Sequence, residues 1–160
     1  MAEHKSSPKK TVIKLIAENK KARFDYAISE TYEAGIELWS SEVKSLRAGD
    51  VNLKDSFVDF KNGEAFLQNA HISEYRASSY QNHLPERKRK LLLKGTELFK
   101  IDKAISEKGY TCVALKIYFK GQWAKLEIGL AKGKNAADKR QSIKTREADR
   151  ELAQIKRKYR

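Results

Sequence analysis

The side chains best equipped for chemistry in this chain are cations set among aromatic rings. Asn19-Lys20-Lys21-Ala22-Arg23 is a basic cluster just ahead of a strand-like stretch, and Lys44 and Arg47 stand three residues apart. Lys116, Lys120 and Lys125 share the outer face of a hairpin pattern with Tyr118 and Trp123. Cations at such spacing neutralise phosphates, and rings beside them stack on exposed bases, so the pattern points to nucleic-acid binding. A merely solvated face would explain any one cluster. Three of them coincide with a formal charge of +13, from 34 Lys and Arg against 21 Asp and Glu, which exceeds what solubility needs and favours a polyanionic partner.

Enzyme chemistry needs a constellation, and none is found in the sequence. It contains no glycine-rich phosphate loop followed by Lys-Ser or Lys-Thr, no histidine pair at metal-ligand spacing and no serine elbow. His4, His71 and His83 are scattered and read as surface or turn histidines. Cys112 is the sole cysteine, which excludes an internal disulfide and a cysteine zinc cluster, and beside Val113 it reads as a buried, inert thiol. Asp55 and Asp59 read as solvated carboxylates rather than an acid and base pair. The expectation is a protein with no enzymatic activity, no cofactor and no metal.

Charge is unevenly distributed along the 160 residues, a length that suits one domain plus an appendage. From Lys132 to Arg160 there are eleven Lys or Arg and four acids, a net of +7; residues 1–10 carry +2 and the intervening 121 only +4. A disordered basic leader (1–10), a mildly basic body (11–131) and a strongly basic tail (132–160) are therefore expected. No run of 18 apolar residues exists and MAEHKSSPKK lacks a signal-like apolar core, so a cytoplasmic protein without membrane contact is expected.

The body must hold the cations in place, and its patterning is mainly β. TVIKLI (11–16) reads as an edge strand, and Tyr26 to Leu38 as a long strand with a bulge or bend at Gly35. SSEVKSLRAG predicts a short helix capped by Ser40 or Ser41 and stopped at Gly49. Asn62-Gly63 between alternating apolar residues predicts a hairpin with a type I′ turn. Arg87-Lys88-Arg89-Lys90 reads as an exposed basic loop. A helix follows, with Thr96 as its N-cap and Gly109 as its stop. A second hairpin turns at Lys120-Gly121-Gln122, with Val113, Leu115, Ile117 and Phe119 on one face and Ala124, Leu126, Ile128 and Leu130 continuing it on the return strand. About six antiparallel strands with two or three short helices suit a small closed barrel of the OB type. In the tail, Ala148, Leu152, Ile155 and Tyr159 fall on one narrow helical stripe, which predicts a segment disordered when free and helical when bound, a coiled coil being the alternative.

Several of these stretches, in order, resemble one family. NKKARFDY (19–26), ETYEAGIEL (30–38), EVKSLRAG (42–49), NGEAFLQNAHIS (62–73), RKLLL (89–93) and IGLAKGK (128–134) with DKR (138–140) are similar to the SsrA-binding protein family, also called small protein B. The resemblance runs from about residue 12 to 147. It implies a non-enzymatic OB-fold barrel that binds the tRNA-like domain of transfer-messenger RNA near its elbow and D-loop, and acts as a monomer on its RNA. It implies a second partner, the stalled ribosome, whose decoding centre and small-subunit RNA meet a tail threaded into the empty mRNA channel. It assigns RNA contact or its support to Asn19, Glu33, Leu92 and Lys125, with basic help from Lys20, Lys21 and Arg23. The tail residues it implies are Lys132, Lys134, Asp138, Lys139, Arg140, Ile143, Lys144 and Arg146. Ala137 stands where many relatives carry His or Tyr, and Ala148 where some carry Trp, which leaves phosphate contacts and helix formation as this tail's means of engagement. The rival is a generic OB-fold RNA-binding or ribosome-assembly factor.

Overall fold

The computed structural model describes residues 10–77 and 82–159, so nearly all of the expected leader lies outside the described residues. In chain order the elements are β1 (Ile13–Glu18), α1 (Lys20–Asp25), β2 (Tyr26–Ile36), α2 (Ser40–Arg47), β3 (Val51–Asn52), β4 (Phe57–Lys61), β5 (Glu64–Gln68), β6 (His71–Ile72), β7 (Arg89–Leu92), α3 (Gly95–Lys108), β8 (Thr111–Lys120), β9 (Trp123–Gly133) and α4 (Ala136–Lys158). Strands β8, β4, β5, β7, β2 and β9 pair in that order and β9 pairs back to β8, which closes an antiparallel barrel. Closure leaves no unpaired edge within the ring. β1 lies along the end of β8 opposite β4, and β3 with β6 forms a separate two-stranded ribbon.

The barrel fills with Ala34, Leu67, Leu91, Ile117, Leu126 and Ile128, each at most 2% exposed, and Ile101 of α3 plugs one end. Turn chemistry agrees with the sequence at both hairpins. Asn62 and Gly63 have φ of 52° and 72°, the left-handed pair a type I′ turn demands, and Gly121 has φ of 63°.

Strand alternation breaks where a bulge enters. In β8 the register shifts between Ala114 and Lys116, so the expected single face of Val113, Leu115, Ile117 and Phe119 is split. Ile117 and Phe119 join Cys112 and Ala114 in the barrel, while Val113 and Leu115 pack outside it with Ala22 and Ala131, beneath α1. Cys112 is buried, which pushes its thiol up to about 12. The long strand β2 also bulges, but at Ser29 rather than at Gly35. Gly129 is needed under that outer cluster, since a Cβ there would lie 2.9 Å from Leu115 Cδ1 and 3.1 Å from Ile28 Cγ2. With Leu115 fully buried the clash cannot relax cheaply, and Gly129→Ala is expected to cost about 1–3 kcal/mol, read as a lower urea midpoint at unchanged m-value.

Helix α2 begins at Ser40 with Trp39, not a serine, in the cap position; the Trp39 N–H donates to Glu42 Oε1 at 3.1 Å. Likewise Lys94 rather than Thr96 precedes α3, its N–H donating to Glu97, and Gly109 ends it at φ 67°. Among the described residues, no helix is long and apolar enough to cross a membrane.

Candidate nucleic-acid interface

Gly35 sits at the centre of the first candidate surface. It is the register partner of both Leu92 on β7 and Lys125 on β9, and a Cβ on it would lie 3.2 Å from Leu92 Cβ. Its missing side chain lets these strands approach and leaves a groove on the outer face, lined by Glu33, Leu92, Leu93, Lys94, Glu97 and Lys125. Three of the four residues that family resemblance assigned from distant parts of the chain, Glu33, Leu92 and Lys125, thus meet around one glycine. Leu92 is 51% exposed, an apolar contact surface beside a cation. Glu33 is held from behind: it accepts hydrogen bonds from the Tyr118 hydroxyl and from Lys120 Nζ at 3.3 Å. The Tyr118 bond foremost, with Lys120, keeps its carboxyl ionised below the usual glutamate range. Among the described residues Lys125 makes no ion pair, so its charge is available to a phosphate.

The Asn19–Arg23 cluster does lie just ahead of a strand, and it is shaped as a helical turn, α1, that runs directly into β2. Asn19 is its N-cap and is buried, 4% exposed. Its Oδ1 accepts from Ala22 N at 3.1 Å, and its Nδ2 donates to Leu53 O and Ala114 O, both at 2.9 Å. Every polar atom of that side chain is spent on the protein, so Asn19 positions α1 rather than meeting a ligand. Lys20, Lys21 and Arg23 are exposed on the same turn. Lys21 pairs with Asp55 at 2.6 Å, and Arg23 with Glu18 at 3.4 Å and Glu127 at 3.6 Å. Such exposed pairs contribute little and exchange readily for phosphate. α1 opens β2 at Tyr26 while Glu33 lies seven residues along it, roughly 23 Å away at the rise of a strand.

Three expectations need correction. Arg87 to Lys90 is not an exposed loop, because Arg89 is fully buried and starts β7. It donates to the buried Glu42, to Ala70 O at 2.8 Å and to Pro85 O at 2.9 Å; Arg87 binds the same carboxylate and covers the Trp39 ring at 4.7 Å. His83, read as a surface histidine, is 1% exposed. Its Nε2–H donates to Ile72 O at 2.8 Å, which leaves Nδ1 to accept from the Ser41 hydroxyl at 2.9 Å. Tyr118 is 6% exposed and unavailable for stacking, whereas Trp123 beside it is 67% exposed. Asp55 is solvated as expected, its side chain 64% exposed while it pairs with Lys21.

The tail is a 23-residue helix, the form expected of it in its bound state. Local chemistry accounts for its start: Asn135 accepts from Asp138 N at 2.9 Å, and Asp138 reaches back to Asn135 N, a capping box. Its first turns also lean on α1. Lys134 N donates to Asp25 O at 2.8 Å, Lys139 pairs with Asp25 at 3.4 Å, and Lys139 and Arg146 lie 5.9 and 5.5 Å over the Phe24 ring. No residue of α4 is buried. Leu152, Ile155 and Tyr159 are 54–81% exposed and Ala148 is exposed with them, so the predicted stripe has nothing packed against it among the described residues. Lys132 belongs to the end of β9, and Lys134, Arg140 and Lys144 follow on the linker and the outward helix.

This geometry agrees with what known proteins resemble it. The family model described as SmpB protein matches residues 16–158. An SsrA-binding protein of Bdellovibrio bacteriovorus is 61% identical over 140 residues, 88% of this chain and 92% of its own. One from Shouchella clausii is 54% identical over 139 residues, 87% and 89% of the two chains. A solved structure described as "tmRNA-SmpB: a journey to the center of the bacterial ribosome" shares 49% identity and a TM-score of 0.65, over 79% of this chain and 93% of the other. A barrel with this groove, and a match of this extent along it, place the chain in the SmpB family of SsrA-binding proteins.

Proposed function

We propose that this protein binds the tRNA-like domain of transfer-messenger RNA and delivers that RNA to stalled ribosomes for trans-translation, without itself catalysing a reaction. The observation that carries it is the groove across Gly35, where an ionised Glu33, an exposed Leu92 and a Lys125 with no ion pair among the described residues converge. A carboxylate accepts hydrogen bonds from base or ribose groups, Leu92 offers an apolar face to a splayed base, and Lys125 answers a phosphate. Lys20, Lys21 and Arg23 on α1 extend the contact to the backbone at a second point, which suits a folded RNA rather than a single strand.

Residues 11–131 hold the RNA and residues 132–160 serve the ribosome. The tail, whose helix α4 is basic and without a buried side, enters the vacant mRNA channel through Lys132, Lys134, Lys139, Arg140, Lys144 and Arg146, while Asp138 and Ile143 shape the helix and its face. The work is cytoplasmic, with one protein per RNA.

The test is competition. Labelled transfer-messenger RNA bound to the protein is expected to resist a large excess of bulk tRNA, and equal displacement by tRNA would support a generic RNA-binding module instead. Lys125→Ala is expected to weaken binding about 5- to 30-fold and to lower the salt slope by about one, as loss of one phosphate contact does.

A further inference from the structure

A second cation-lined cleft lies away from the groove and from α1. The bulge at Ser29 turns that residue outward, its hydroxyl donating to Leu130 O at 3.1 Å, and opens a cleft of about 310 Å³ between β2 and α3. Lys100, Lys103 and Lys108 line one wall and Glu30 and Tyr110 the other. Lys132 adds a fourth cation, 4.5 Å over the Tyr110 ring.

None of the acids of α3 lines this cleft: Glu97 lines the groove, and Glu107 is exposed next to Lys108. Asp102 faces a different cavity, with Phe60, Leu98 and Phe99, whereas the three lysines face the cleft. Glu30 is the one acid lining it, and that carboxylate is already engaged by the Tyr32 hydroxyl and by Lys100 at 3.2 Å. Lys103 and Lys108 have no ion pair among the described residues. Lys100 and Lys108 are eight residues apart, roughly 12 Å along a helix, a span that reaches more than one phosphate of an RNA strand. Repelling lysines held around a concavity gain most from a polyanion that enters it.

We propose that this cleft is a separate binding site for RNA phosphodiester backbone, with Lys100, Lys103 and Lys108 as its phosphate-binding residues. The site goes beyond the groove and α1, and rests on the protein being an RNA-binding one. Its ligand is a phosphate-bearing strand, supplied either by transfer-messenger RNA itself or by ribosomal RNA.

The test uses the full chain carrying Lys100→Ala, Lys103→Ala and Lys108→Ala together, all exposed positions where alanine favours the helix, with a thermal melt matching the parent as the folding control. One arm titrates transfer-messenger RNA alone over a salt series. The other measures binding of the protein–RNA complex to ribosomes stalled on a truncated message. A 10- to 100-fold loss in either arm, with a salt slope smaller by about two to three, supports the site and names its RNA. Glu30→Gln, which removes the one acid, is expected to tighten binding in that same arm. Affinities and slopes unchanged in both arms would overturn the site. Failure of the functional reading is a different result, the parent chain itself showing no preference for transfer-messenger RNA over bulk tRNA.

Discussion

Glu42→Gln is expected to destabilise the barrel by about 3–5 kcal/mol, the usual effect of removing one partner from a buried ion pair, and a large share of the 5–15 kcal/mol typical of a domain. Glu42 and the Arg89 side chain are both 0% exposed, and one carboxylate serves two guanidinium groups and the Trp39 N–H. The amide keeps the shape but leaves Arg89 buried without a counter-charge. Arg87 retains 23% side-chain exposure, so Arg87→Gln should cost only about 1 kcal/mol. Urea unfolding of the two variants measures the difference.

The same carboxylate sets an acid limit. Burial pushes its pKa up, but the bonds from Arg87, Arg89 and the Trp39 N–H outweigh burial and hold it below the ordinary 4.5. A folded value below the unfolded one means that its stabilisation is fully present above pH 4.5 and is lost as pH falls through the folded pKa. The parent should therefore lose stability in that acid window, and Glu42→Gln should show a flatter profile there. Because Arg89 begins the strand that carries Leu92, the variant should also bind RNA more weakly as β7 loosens.

What the chain reveals in advance depends on how far apart the interacting residues lie. Asn62-Gly63 and the alternation of Ala124, Leu126, Ile128 and Leu130 are legible because a turn and a pleat are local properties. The helical stripe in the tail is legible for the same reason, though not the cap and the α1 contacts that order its start. α1 escapes notice because it buries only Ala22, and its cap works through carbonyls 34 and 95 residues away. Arg89 reads as one more surface cation until Glu42, 47 residues earlier, is placed beside it. His83 is hidden in the same way. The groove is the extreme case, since nothing near Glu33, Leu92 or Lys125 announces that Gly35 aligns the last two; family resemblance supplied the residues, and strand register supplied the reason. The cleft on α3 was missed because it depends on the bulge at Ser29, which no local signal marks.

Ending the chain after Gly133 is expected to leave binding of transfer-messenger RNA within a few-fold of the parent while abolishing peptide tagging of stalled chains. Groove, α1 and cleft all precede that point, and no residue of α4 is buried, its first turns resting on α1 only through Asp25 and the Phe24 ring. The removed segment carries ten Lys or Arg and four acids, but at physiological salt charges beyond about 8 Å from the RNA are largely screened. A large loss of RNA affinity would show that the tail belongs to the RNA site and would end the division of labour. Truncation alone cannot separate charge from helix, and Ala148→Pro can. Its ring displaces the carbonyl of Lys144 and breaks the turn that holds Arg146 over Phe24, but the capping box at Asn135 and the Lys139–Asp25 pair lie upstream of the break, and the net charge is unchanged. Proline there costs roughly 3 kcal/mol of helix, which an exposed segment has no packing to offset. A tail that must enter a channel as a helix, with Leu152, Ile155 and Tyr159 on one side, should then fail: tagging in a reconstituted translation of a message lacking a stop codon is expected to fall at least tenfold. Tagging at the parent rate would mean that the ribosome reads the tail's charge and not its helix.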